Sequence, residues 1–304
     1  MSETDGYRDG VALWAAATAR AKATASATGA DVGALLRQFV YGRFLARIFH
    51  DPDAPWVLKG GTAVLARVND ARTTKDVDLL HELQDIDAAL ELLRAAIATD
   101  LGDHFRFVIM GHERSLGGTG QPHVDGYRVR VDAYCGAARK ESFSVDLVTG
   151  SLMTTSPEIT TDTALELRGL SSPPMRLYPV VDHIADKLCA TQARYGAAGD
   201  RPSSRVRDLV DIVVLARSQD VDGTALIGAI RGEWVHRGLE GDPVFAPPTS
   251  WERLYPPVAR KVHRCEGLTT FAAAVGFVGG FLAPALDGSA TGLRWSSARS
   301  VWVP

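Results

Sequence analysis

The sequence predicts an α/β fold in which a sheet-containing lobe precedes a mostly helical one, and three observations carry that expectation. Strand-like and helix-like segments alternate from Trp56 to Val148. Hydrophobic spacing becomes helical from Pro179 onward. A chain of 304 residues with 46% hydrophobic content can bury one large core or two modest ones, and two lobes are expected here.

Each element has its own warrant. Val32, Leu35, Leu36, Phe39, Val40, Phe44, Leu45 and Ile48 recur with the period of a helix burying one stripe, over residues 31–49. Arg37, Arg43 and Arg47 lie off that stripe, where they form a solvated face or, alternatively, touch nucleic acid. Trp56-Val57-Leu58 reads as an apolar strand. A Gly60-Gly61 turn follows, then a short helix beginning near Thr62 through Ala63-Val64-Leu65-Ala66, then a second strand at Asp76-Val77-Asp78-Leu79. Ile86, Leu90, Leu93 and Ile97 mark another helix, and His104 to Met110 is read as extended. Tyr127–Tyr134 and Ser142–Val148 alternate polar and apolar with strand period and are expected to pair as neighbours. Between the extended segments, Leu116 to Pro122 is glycine-rich but is not followed by Gly-Lys-Ser/Thr, so it is read as a hairpin tip rather than a phosphate loop. Val180, Ile184, Leu188 and Thr191 mark one later helix, and Val206, Leu209, Val210, Val213 and Val214 another. The expected organisation is N-terminal helices packing on the core (1–50), a domain at 51–170, a helical domain at 171–286 and a tail at 287–304.

Composition narrows the classes. A net charge of -3 provides no global attraction to nucleic acid, so any RNA contact needs a local basic patch. Residues 187–217 supply a basic excess: Lys187, Arg194, Arg201, Arg205, Arg207 and Arg217 against Asp200, Asp208 and Asp211. Cys135, Cys189 and Cys265 are too scattered for a zinc motif and odd in number, which fits a reducing compartment. The polar start, Met1 to Gly10, lacks the pattern of a secretion signal, so a cytoplasmic location is expected. Phe271 to Leu286 is short and broken by glycines and Pro284, and reads as a buried helix rather than a membrane span.

The chemistry concentrates in Lys59-Gly60-Gly61-Thr62 and Asp76-Val77-Asp78. Side chains of an extended strand alternate between faces, so Asp76 and Asp78 point one way while Val77 and Leu79 enter the core. Two carboxylates on one face suit magnesium, which takes one or two acidic ligands plus substrate phosphates. Glycines let backbone approach a phosphate, and a helix N-terminus offers free N–H groups to an anion. Either half alone is commonplace; their succession on strand, turn, helix and strand is the informative feature.

At KGGTAVLARVNDARTTKDVDLL the chain resembles the polymerase-β nucleotidyltransferase superfamily, and within it the AbiEii/AbiGii-type toxins, including the MenT branch. The resemblance covers roughly residues 55 to 218 and implies a mixed sheet with flanking helices, followed by a mostly helical lobe. It departs from the pattern at Gly60-Gly61, where Gly-Ser is common. The backbone amides and Thr62 must therefore serve the phosphates. The resemblance implies that Asp76, Asp78 and Asp146 hold two Mg2+ ions, with Asp146 entering from the neighbouring strand as metal ligand or base. A turn-capping Asp146 and a catalytic Asp132 are the alternatives. It further implies nucleotide contacts from Lys59, Gly60, Gly61, Thr62, Arg72 and Thr74. HIADKL and RVRDLVDI resemble two later family motifs, which assigns Lys187 to the triphosphate and Asp208 to the active site, with Arg207 and Asp211 beside the nucleotide. Alternatively, Lys187 and Asp208 merely pair two helices.

The implied activity is a toxin that transfers NMP from an NTP donor, CTP or UTP, to the 3′ end of tRNA, releasing pyrophosphate and blocking translation. An antitoxin is the implied protein partner, and no membrane is involved. Transfer to a protein or a small molecule, or a catalytically silent RNA-binding regulator, are the alternatives. Trp234, Trp251, Tyr255, Trp295 and Trp302 are interleaved with Arg231, Arg237, Arg253, Arg260, Lys261, Arg264 and Arg294. That mixture suits base stacking and phosphate contact, or simply a packed helical lobe.

Overall fold

The computed structural model describes residues 6–68, 74–114, 124–161, 165, 167–195 and 201–304. Two helices lead: α1 (Gly10–Thr28) and α2 (Val32–Ile48), whose first turns are capped by Asp9 and Asp31 accepting from backbone amides. Then come β1 (Trp56–Lys59), α3 (Gly60–Arg67), β2 (Asp76–His81), α4 (Ile86–Ile97), β3 (Phe105–Arg114), β4 (Asp125–Cys135) and β5 (Ala138–Thr149). Short strands β6 (Glu158–Thr160) and β7 (Met175–Leu177) complete a sheet of order β3-β4-β5-β2-β1-β7-β6 among the described residues. The sheet is mixed: β2 runs parallel to β5 and β1 parallel to β7, while the other neighbours are antiparallel.

The alternation read from the sequence decides which face is buried. Phe143, Val145 and Leu147 of β5 are buried with Val77 and Leu79 of β2 and Val129 and Val131 of β4, beneath α2 and α4. Phe44 of α2 meets Phe107 and Phe143 edge-on at 5.4 and 5.3 Å between centroids. Deleting such a ring costs about 3–5 kcal/mol. The opposite face of the same strands carries Asp76, Asp78, Ser144, Asp146 and Arg128, all at least partly accessible.

Two expectations for α2 are corrected. Arg43 and Arg47 are neither solvated nor presented to nucleic acid: both are buried around Asp103, with Arg43 Nε at 2.7 Å and Arg47 Nη2 at 2.6 Å from its oxygens. Buried charges are retained only when paired, and one carboxylate serves both guanidiniums. Arg37 pairs with Glu141 at 3.3 Å. The first helix after β1 starts at Gly60 rather than at Thr62.

Beyond β7, α5 (Val180–Gln192), α6 (Val206–Ser218), β8 (Val221–Asp222), α7 (Gly223–His236), α8 (Tyr255–Ala259) and α9 (Phe271–Leu286) gather a second hydrophobic cluster, which Val64 of α3 and Val68 just after it join. The boundary expected at 170/171 falls inside the sheet, because β7 is a sheet strand. Residues 287–304 are anchored through Trp295 and Trp302. They form β9 (Arg294–Ser296) and β10 (Val301–Val303), paired with β8, and the indole N–H groups of Trp295 and Trp302 donate to Ala216 O and Phe281 O. Trp234, Trp251, Tyr255 and Trp295 are core residues, so these rings do not offer a stacking surface. Among the described residues no helix is long and apolar enough to cross a membrane. The glycine-rich hairpin tip expected at 116–122 lies outside the described residues.

Candidate active site

The site is built by register. Asp78 of β2 stands opposite Asp146 of β5, and Asp146 stands opposite Arg128 of β4; on the other side, Lys59 of β1 stands opposite Asp78. Directly opposed residues share a face, so a row Lys59, Asp78, Asp146, Arg128 crosses four strands with its two acids inside and its cations outside. Asp76 lies two residues along the same face, opposite Ser144. Strand adjacency therefore brings Asp76, Asp78 and Asp146 together, while Asp132 is turned to other work: it accepts from Ser142 Oγ at 2.5 Å and from Arg139 at 3.2 Å.

The glycine turn abuts this row. Gly60 adopts φ +57°, and a Cβ there would collide with the Asp78 carboxylate. Lys59 stands at the N-cap of α3 and its side chain makes no capping hydrogen bond. The Thr62 hydroxyl donates to Asp76 O at 2.9 Å and accepts from the Asp78 amide at 3.4 Å. The Thr74 hydroxyl donates to Asp76 O at 3.1 Å. Both threonines thus fix the backbone of the acid strand. Arg72 lies outside the described residues.

Electrostatics mark the acids as mutually close. Burial raises the Asp76 carboxyl above its ordinary range and the Asp146 charge raises it further, against the opposing fields of Arg128, Arg207 and Lys75. The Arg207 charge therefore reaches Asp76. Arg128 grips Asp146 as a fork, Nε to Oδ1 at 2.8 Å and Nη2 to Oδ2 at 2.8 Å.

Lys59 and Lys187 are placed differently from a pair of cations reaching into an open cleft. The Lys59 ammonium is directed to Asp186 Oδ1 at 3.3 Å and Ser151 Oγ at 3.0 Å, over the Tyr178 ring. Asp186 also accepts from Arg237, which pairs with Glu233, and these cations hold the Asp186 carboxyl well below its ordinary range despite burial. The Lys187 side chain is 4% exposed and donates to Asp211 at 2.6 Å and Asp208 at 3.2 Å. Lys187 thus pairs α5 with α6 through Asp208 and Asp211. Asp211 is fully buried, while Asp208 also meets the half-exposed Arg205.

Arg128 and Asp186 were missed from sequence, and Arg237, read there as a possible phosphate contact, is instead buried with Asp186 and Glu233. Arg128 had a signal, an arginine in an alternating strand paired with the strand of Asp146. Asp186 stood within the quoted HIADKL segment, but its partners come from β1 and α7, over 40 residues away in each direction, which no local pattern reveals.

Among the described residues no three His, Cys, Asp or Glu side chains, Asp76, Asp78 and Asp146 included, are grouped so as to hold a metal ion by themselves. The donor set nonetheless fits magnesium, which takes one or two carboxylates and completes its shell with phosphates and water: Asp76 and Asp78 share a face, and Gly60 packs directly against the Asp78 carboxylate.

An acid row beside a glycine-led helix on a mixed sheet is an arrangement suited to a metal-bound nucleotide. Residues 43–267 match the family model described as "Nucleotidyl transferase AbiEii toxin, Type IV TA system", and the chain belongs to that family. It is accordingly a nucleotidyltransferase toxin of a toxin–antitoxin system, and the family implies an antitoxin partner. Among solved structures, the chain is similar to JHP933 from Helicobacter pylori, at 17% identity and TM-score 0.42, covering 84% of this chain and 94% of that one. It is also similar to MenT4, a nucleotidyltransferase toxin from Mycobacterium tuberculosis H37Rv, at 20% identity and TM-score 0.46, covering 74% and 71%. A putative nucleotidyltransferase from H. pylori matches at 18% identity and TM-score 0.41, covering 84% and 94%. No curated protein matches this chain.

Proposed function

We propose that this toxin transfers a nucleoside monophosphate from a pyrimidine triphosphate, CTP or UTP, to the 3′ end of tRNA, so that the modified tRNA cannot be charged and translation stops. The observation that carries nucleotidyl transfer is the cross-strand register that sets Asp146 beside Asp78, with Asp76 on the same face and Gly60 against it. The donor base and acceptor follow from the resemblance of the motif residues to the MenT branch.

Asp76, Asp78 and Asp146 are the groups that would hold two magnesium ions, which when bound supply charge compensation at the attacking and leaving oxygens. The first-turn amides of α3 bind the triphosphate, and Gly60 lets it come close to the acid strand. Thr62 and Thr74 keep that strand's backbone in place. Arg207 adds positive charge toward the departing pyrophosphate, and Arg72 joins it in this reading. Asp146 receives the proton of the acceptor hydroxyl; the new bond joins that oxygen to the α-phosphorus, and the bond to the β-phosphate oxygen breaks in line. Lys187, clasped by Asp208 and Asp211, orients α5 against α6 and thereby Arg207.

The test is to incubate the full chain with magnesium, each labelled NTP in turn, and total tRNA or total protein. Label on tRNA from CTP or UTP, lost in Asp78→Asn and on chelation, supports the reading. Label on protein, or none with any donor, rejects it.

A further inference from the structure

Both oxygens of Asp146 are engaged by one side chain. The Arg128 fork places Nε on Oδ1 and Nη2 on Oδ2, each at 2.8 Å. This geometry is fixed from the backbone, since Arg128 and Asp146 are direct cross-strand partners in the antiparallel β4/β5 pair. A bidentate guanidinium fits a carboxylate in a way a lysine cannot. The pair is also at the rim: the Arg128 side chain is 46% exposed and that of Asp146 28%. A long, half-exposed arginine can leave without disturbing the core. Arg128 further opposes the repulsion between Asp146 and Asp76, since its field acts on Asp76 as well.

We infer that Arg128 is a positioning residue that latches Asp146 by a two-point salt bridge, balancing the charge of the acid row, and yields the carboxylate when a divalent cation binds. A guanidinium fork and a divalent cation on one carboxylate repel each other, so the two occupants compete. The latch rests on the reading of Asp146 as a metal ligand.

The experiment measures Mn2+ binding alone, by calorimetry or electron paramagnetic resonance, on the full chain without nucleotide. Arg128→Gln is expected to bind Mn2+ about threefold to fivefold more tightly than the wild type, the size set by a partly exposed ion pair. Arg128→Lys keeps the charge but loses the fork, and is expected to bind more tightly than the wild type as well. Unchanged or weaker binding in Arg128→Gln overturns the latch, and so does an Arg128→Lys affinity equal to the wild type, which would reduce the effect to field alone. Asp146→Asn separates the two ideas. Weaker Mn2+ binding in that variant is expected, whereas no change shows that Asp146 is not a ligand and removes the basis of the latch. Thermal unfolding monitors folding of each variant, and Arg128→Lys stands in should Arg128→Gln fail to fold.

Discussion

The Thr62 hydroxyl donates to the Asp76 carbonyl at 2.9 Å and accepts from the Asp78 amide at 3.4 Å, so one side chain of the glycine turn fixes the backbone of both acids. Thr62→Val preserves shape and removes this tie. It is expected to lose about 1 kcal/mol of stability and about tenfold in kcat through misplacement of the acid pair. Thr62→Ser keeps the hydroxyl and is expected to retain most of both. Urea denaturation and labelled transfer read the two effects; full activity in Thr62→Val would sink the positioning role.

Gly60→Ala acts on the same junction by steric means. The residue has φ +57°, and a methyl group would run into the Asp78 carboxylate. Transfer is expected to fall by about 100-fold with the second hydrophobic cluster intact, seen as a retained cooperative melt. An active Gly60→Ala enzyme would show that Asp78 can move aside without consequence.

Lys187 compensates two buried carboxylates, Asp208 and Asp211. Lys187→Met leaves Asp211 buried without its 2.6 Å partner, a change expected to cost about 3–5 kcal/mol. Adding Asp211→Leu should recover a substantial part of that loss, because the uncompensated charge disappears. Urea midpoints of the single and double variants decide the matter. Loss of activity in Lys187 variants is therefore evidence of phosphate binding only where the fold is shown to persist.

Asp76 sets a pH dependence. Burial, then the Asp146 charge, raises its folded pKa above the ordinary 3.8. Between those two values the native state holds the proton more tightly than the unfolded chain, so this group's contribution to stability falls as pH climbs through that interval. Asp76→Asn is accordingly expected to melt no lower than the wild type at pH 7 while losing transfer. A marked drop in the melting temperature of Asp76→Asn at pH 7 would contradict this sign.

Asp103 behaves in the opposite sense. Burial alone would raise its carboxyl, but the hydrogen bonds and charges of Arg47 and Arg43 outweigh burial and lower it. The resulting stability is fully present above the ordinary 3.8 and is lost as pH falls through the depressed folded value. Urea midpoints measured from pH 6 down to pH 2 are expected to fall more steeply for the wild type than for Asp103→Asn, which lacks the titrating group.

Much of the site was legible because strand period is a local property. The polar face of β2 and β5 follows from the alternation in DVDLL and FSVDLV, and with it the shared orientation of Asp76 and Asp78. The partner of Asp146 was not legible, for a reason that can be located. A two-residue turn at Gly136-Ala137 with an unbroken ladder would set Arg128 opposite Val145, whereas the irregularity between Ala133 and Tyr134 shifts the register by one residue and sets it opposite Asp146. Arg43 and Arg47 were misplaced because a helical wheel separates polar from apolar but does not see Asp103, which arrives from the start of β3.

By itself the sequence determined the α/β alternation, the glycine turn, the acid pair and the family motifs, since each is carried by neighbours along the chain or by short-period spacing. Only the tertiary structure decided that Lys59 and Lys187 are clasped by buried carboxylates, that the C-terminal indoles are core, and that Asp146 is held by Arg128. These outcomes depend on which distant groups share a buried volume, and the free energy of an ionic group is set by that company rather than by its place in the chain.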